Sequence, residues 1–184
     1  MDKKKIEQAV RLLLEGMGED PDREGLMDTP KRVAGYWEEL LEGNRYTNLE
    51  IAQMYGKVFN VESPTPIVKE MDNVFSHCEH HLALMYNMKV TVAYIPAKWE
   101  DGHYKVLGLS KIPRIVDMCA KRLQLQEKLT NDIAECIQIA TKSQDIYVKV
   151  TADHACVSAR GIKSPGKTVT EYTSGKWRPD GEDL

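Results

Sequence analysis

The chain has 184 residues, with 25 Lys and Arg against 28 Asp and Glu for a net charge of −3, and 42% of it is hydrophobic. That length suits one domain with an appendage and buries about 70% of the unfolded surface, so no disulfide scaffold is required. The composition excludes disordered, collagen-like and disulfide-dense classes, and the near-neutral charge argues against a nucleic-acid binder, which needs a basic face.

The opening MDKKKIEQAV carries a basic run but turns amphipathic, without the apolar region of a secretory signal. No stretch of about 18 apolar residues follows, so no membrane partner is expected and a cytoplasmic location is the default. In that reducing compartment the four cysteines read as thiols or metal ligands. Ile6, Val10, Leu13, Leu14 and Met17 recur at helical spacing until Gly and Pro break the pattern. A second helix starts at Asp28 or Thr29 with Pro30 in its first turn, and Val33, Ala34, Trp37, Leu40 and Leu41 make its apolar face. Residues 1–45 are therefore read as a helical appendage or oligomer contact, and residues 46–184 as the main domain.

From Pro64 the texture changes. MKVTVAYIP (88–96) is β-branched and alternating, and KVLGL (105–109) follows a polar loop, which predicts a β-hairpin. Ser110 can cap the next helix, whose buried stripe is Ile112, Ile115, Val116, Cys119, Ala120 and Leu123. A second stripe, Leu125, Leu129, Ile133, Ile137 and Ala140, predicts a bend near Gln124 and another helix. DIYVKVTADHACVSARG (145–161) reads as one long strand, with KTVTEYTSG (167–175) as its hairpin partner. Strands, two helices, then strands predict an α+β fold with an antiparallel sheet and helices on one face.

Two segments concentrate the chemistry. SHCEHH (76–81) offers Cys78 and His81 as a C-x2-H pair with His80 left over, and in DHAC His154 and Cys156 are two apart on a predicted strand, hence on one face. Cys78, His81 and Cys156 would give zinc three ligands and leave a position for water, as in catalytic sites. A thiol nucleophile at Cys78 is the chemical alternative, although adjacent imidazoles suit metal binding better. Cys119 and Cys136 fall on or beside apolar stripes and read as core. Ser110, Lys111 and Arg114 cluster at a helix N-terminus, which favours an anion such as phosphate, and Arg160 could add a guanidinium fork. A solvated basic face is the alternative for that cluster, and Glu127, beside Gln126, could be an ordinary first-turn residue.

SHCEHH, VAYIP, GLSKIPRIVD, RLQLQEKLT, DHACVSARGIK and KTVT, in this order, resemble GTP cyclohydrolase I, as does EGLMDTPKRVA near the N-terminus. The resemblance implies the tunnelling fold, with a four-stranded antiparallel sheet, two helices on one face and extra N-terminal helices, assembled as homodecamers with sites between subunits. It implies hydrolysis of GTP to 7,8-dihydroneopterin triphosphate and formate, the entry to tetrahydrofolate-type pterins. Cys78, His81 and Cys156 become Zn2+ ligands, and the metal makes hydroxide available near neutral pH. His154 protonates the adjacent ring nitrogen, and His80 is a second acid/base group. Glu127 reads guanine with help from Gln126. Lys111, Arg114 and Arg160 grip the triphosphate, and Ser110 meets the ribose or the opened intermediate.

The chain departs from the family pattern in places. His77 replaces an apolar residue and is a possible alternative ligand. LALMYN (82–87) replaces a run ending in Gly, where Asn87 can supply left-handed backbone. The loop 97–103 is longer than usual, and Ser158 stands where a basic or bulky residue is common. A relative of the same fold reducing a deazaguanine nitrile, or a zinc-stabilised binding module without turnover, are the competing functions.

Overall fold

A computed structural model describes residues 1–177. The chain falls into two compact units, Met1–Glu42 and a second beginning at Gly43. In the first, α1 (Lys3–Gly16) is capped by Asp2, whose carboxylate accepts from the Lys5 N–H at 3.0 Å. It packs on α2 (Thr29–Leu40), whose Ala34 is fully buried. Arg11 binds Asp22 with both fork nitrogens, at 2.9 and 2.6 Å.

A 3-10 turn over Glu42–Arg45 leads into α3 (Asn48–Tyr55) of the second unit. Sequence reasoning missed α3, although Thr47 and Glu50 form a capping box that satisfies two orphan N–H groups reciprocally. Next come β1 (Val58–Val61), β2 (Ile67–Cys78), β3 (Ala83–Tyr94), β4 (Tyr104–Leu107), α4 (Lys111–Ala120), β5 (Leu123–Gln124), α5 (Gln126–Thr141), β6 (Ile146–His154), the single turn α6 (Ala155–Ser158) and β7 (Thr168–Ser174). The main sheet runs β5-β2-β3-β6-β7. Its four long strands are antiparallel, as expected, and a two-residue parallel strand, β5, adds a fifth.

Along β6 burial alternates strictly, with Val148, Val150 and Ala152 inward, which is the period-two signature of a sheet with one covered face. Leu129, Ile133 and Ile137 of α5 and Ile112, Ile115 and Cys119 of α4 join them in one core. Each such aliphatic side chain contributes about 1.5–3 kcal/mol by leaving water. Cys119 and Cys136 are fully buried there, their sulfurs 3.7 Å apart. Among the described residues no helix is long and apolar enough to cross a membrane.

Two expectations need correction, and one strand was missed. The predicted hairpin of 88–96 with 105–109 does not form: β4 pairs with β1, in register Val58↔Leu107. Its Leu107 N–H meets β3 only through the buried Tyr94 hydroxyl, at 2.8 Å, while β3 is already flanked by β2 and β6. Strand β2 was not anticipated, because Asp72-Asn73 interrupts its alternation. The structure absorbs that interruption as a bulge, with Asn73 at φ 58°. The long strand 145–161 stops at His154, where the backbone turns helical. The bend near Gln124 is present as β5, between α4 and α5.

Candidate active site

Cys78 ends β2, held between Ala83 of β3 and Gln124 of β5, and is 5% exposed. His154 ends β6 opposite Met85 of β3, and Cys156 lies one residue into the α6 turn. Helix geometry, not strand alternation, therefore swings the Cys156 thiol toward His154. The donor atoms of Cys78, His154 and Cys156 all lie within 4.8 Å of one another. Burial pushes the Cys156 thiol pKa up, and the neighbouring Cys78 adds to it. A bound cation would reverse that balance by stabilising thiolates, and two thiols with an imidazole form a donor set suited to zinc.

His81 is not a member of this group. It is exposed with His80 on the β2–β3 connection, and its Nε2 accepts from the Arg160 guanidinium at 3.2 Å. His77 is 3% exposed on β2, and burial lowers its pKa. It too stands outside the clustered donors.

His154 is the best-supported side chain of the site. Burial lowers its pKa, opposed by the charges of Glu127 and Asp153. Its Nε2 lies 2.7 Å from Gln126 Oε1, and its carbonyl accepts from Ser158 Oγ at 3.0 Å. Tyr86, whose hydroxyl is 3.3 Å from Ser158, ties the α6 turn to β3. Asn87 does adopt left-handed backbone, at φ 49°, and its side chain donates to Asp153 at 2.9 Å.

Gln126 and Glu127 open α5, Gln126 buried and Glu127 exposed in the first turn. Ser110, Lys111 and Arg114 sit at the start of α4 as expected, with Ser110 and Arg114 exposed. Ser110 occupies the cap position without making a side-chain cap bond.

Sequence reasoning missed the polar cluster beneath β5. Arg122, 8% exposed, donates to the carbonyls of Gly43 and Tyr46, to Asn48 and to Asp132. Gln124 donates to Asp132 and to the Cys119 carbonyl, which fixes the strand that Cys78 pairs with. Gly43 permits the approach, since a Cβ there would lie 2.0 Å from the Met118 carbonyl oxygen. The only sequence signal was a pair of opposite charges ten residues apart.

A sequence model of the family GTP cyclohydrolase I matches residues 6–183. The chain belongs to this family. Among its relatives, "GTP cyclohydrolase 1" of Clostridium botulinum is 48% identical, aligned over 98% of this chain and 92% of the relative. The protein of the same name from Clostridium beijerinckii is 47% identical over 97% and 91%. Among solved structures, the archaeosine synthase QueF-Like in the apo form aligns with a TM-score of 0.42 and 25% identity, over 60% of this chain and 95% of that one. Membership of the GTP cyclohydrolase I family accounts for the ordered motifs, and the four antiparallel strands backed by α4 and α5 are the arrangement expected of its tunnelling fold.

Proposed function

We propose that this member of the GTP cyclohydrolase I family converts GTP to 7,8-dihydroneopterin triphosphate and formate, the first step of tetrahydrofolate-type pterin biosynthesis, with a zinc ion held by Cys78, His81 and Cys156. Family membership makes the chain an enzyme of this type. The observation that carries the chemistry is the convergence of Cys78, His154 and Cys156 within 4.8 Å, beside the charge of Glu127. Zinc, when bound, supplies a water activated near neutral pH for attack on the imidazole carbon of guanine.

The chain's own groups do the rest. His154, half-buried and held at Nε2 by Gln126, takes a proton from the attacking water on its other ring nitrogen and passes it to the guanine imidazole nitrogen beside the attacked carbon. His80 serves the later proton transfers from its exposed position. Glu127 accepts from the guanine ring N–H and exocyclic amine, a two-point contact that adenine does not offer. Lys111, Arg114 and Arg160 hold the triphosphate, and Ser110 meets the ribose or the opened intermediate. The assembly is a cytoplasmic homodecamer in which neighbouring subunits complete each site.

The donor cluster favours a second ligand set, in which His154 replaces His81 as the third ligand. The activity is tested by incubating zinc-loaded protein with GTP and assaying formate and, after oxidation and dephosphorylation, fluorescent neopterin. Both products are expected from the wild type and neither from His154→Ala. GTP binding without formate, with zinc or another divalent metal, would leave a binding module in place of an enzyme.

A further inference from the structure

Gln126 follows the apolar Leu125 at the start of α5, where a side-chain amide facing solvent would be unremarkable. It is instead 2% exposed. Its Nε2 lies 3.0 Å from the Val150 carbonyl, 3.0 Å from the Thr168 carbonyl and 3.2 Å from Thr170 Oγ1. An amide NH2 has two protons, so these acceptors on β6 and β7 use its whole donor capacity. Thr170 is itself held by Thr130, at 2.7 Å, and Thr130 donates to the Gln126 carbonyl at 2.9 Å.

That surround decides which way the amide points. Two backbone carbonyls can only accept, so the atom facing them is the nitrogen, and a flipped amide would set oxygen against oxygen. Oε1 therefore faces His154, 2.7 Å from its Nε2. An amide oxygen has no proton to give, so the proton in this contact belongs to the imidazole.

We propose that Gln126 is a positioning residue whose clamped amide holds His154 with its proton on Nε2 and its lone pair on Nδ1. This inference deepens the cyclohydrolase reading and rests on it for its meaning in catalysis. It names the working atom under either ligand set: Nδ1 faces the chemistry as proton carrier or as metal donor, because Nε2 is committed. It also takes the Gln126 amide protons away from guanine, since both are spent on β6 and β7. A wrong tautomer would present an N–H where the site needs a lone pair.

The test uses the full chain, zinc-loaded and labelled with 15N-histidine, studied by solid-state NMR, which tolerates a large assembly. There are five histidines, and the His154 signals are those lost in His154→Ala. The wild type, which needs no variant to fold, should show His154 protonated on Nε2 and not on Nδ1. Gln126→Met should scramble that preference. It should also lower kcat for formate release by roughly 10- to 100-fold, with KM for GTP and zinc content within about threefold of wild type. A wild-type His154 with its proton on Nδ1 overturns the proposal, as does a Gln126→Met enzyme whose loss lies in KM alone. Wild-type protein that shows the Nε2–H signature but releases no formate would sink the cyclohydrolase reading while leaving the tautomer assignment standing.

Discussion

Arg122 Nη1 lies 2.9 Å from Asp132 Oδ2, with the two side chains only 9% and 10% exposed. A charge pair so placed is costly to break, because the surviving partner stays buried without compensation. Asp132 also accepts from Gln124, Lys128 and Asn48, so its loss would strip the network beneath β5 at once.

Asp132→Ala should destabilise the fold by about 3–5 kcal/mol, read from urea midpoints at fixed protomer concentration. The pH dependence has a definite sign. Burial pushes the Asp132 pKa up, but hydrogen bonds from Lys128, Gln124 and Asn48 pull it down by more, leaving it below the ordinary value. The unfolded chain thus binds the proton more readily, and the carboxylate's stabilisation is complete above about pH 4 and lost as pH falls through its depressed pKa. The difference in midpoint between wild type and Asp132→Asn should hold from about pH 7 to about pH 5 and narrow below about pH 4. A difference that stays constant through the acid range would remove Asp132 from this role.

Metal analysis separates the two ligand sets. Cys78→Ala and Cys156→Ala should both drop zinc from about one per subunit to near zero. With His81 as third ligand, His81→Ala loses zinc as well, while His154→Ala keeps it and loses formate release. The reverse pattern would mean that the 4.8 Å cluster is itself the complete protein ligand set.

Glu127→Gln should raise KM for GTP and cut kcat/KM by roughly 10- to 100-fold, as expected for losing a charged two-point contact. Wild type should also discriminate against inosine triphosphate, which lacks the exocyclic amine, and the variant should lose most of that preference. Unchanged discrimination would place guanine recognition elsewhere.

Whether neighbouring subunits share a site can be tested with variants of two site residues carried by different chains. Lys111, at the start of α4, can be paired with His154 for that purpose. Lys111→Ala and His154→Ala subunits, each defective alone, should recover roughly a quarter of wild-type activity when co-assembled at equal ratio, if each site draws on two neighbours. No recovery in mixed assemblies of demonstrated composition would mean that each chain holds its own site.

Local chemistry was legible wherever the chain reports its own surroundings. Apolar spacing located α1, α2, α4 and α5, and strand alternation found β6 and β7 with the pairing between them. The failures came where pairing is decided at a distance. Lys105-Val106-Leu107 has the makings of a partner for 88–96, yet β3 is taken on both sides, and β4 finds β1 some 45 residues earlier, as in Lys105↔Asn60. Asp72-Asn73 looks like a turn and is a bulge in a twelve-residue strand.

The sequence by itself determined the fold class, the family and the kinds of side chain available, because residue type, periodicity and motif order are properties of the chain. Only the tertiary structure decided which atoms meet. It took β6 into a helical turn after His154, gathered Cys78, His154 and Cys156 while His81 faces Arg160, and spent every polar atom of the Gln126 side chain on β6, β7 and His154. The physical reason is that hydrogen bonds and metal ligation act over about 2–3 Å, a distance set by the packing of strands and helices far apart in the chain.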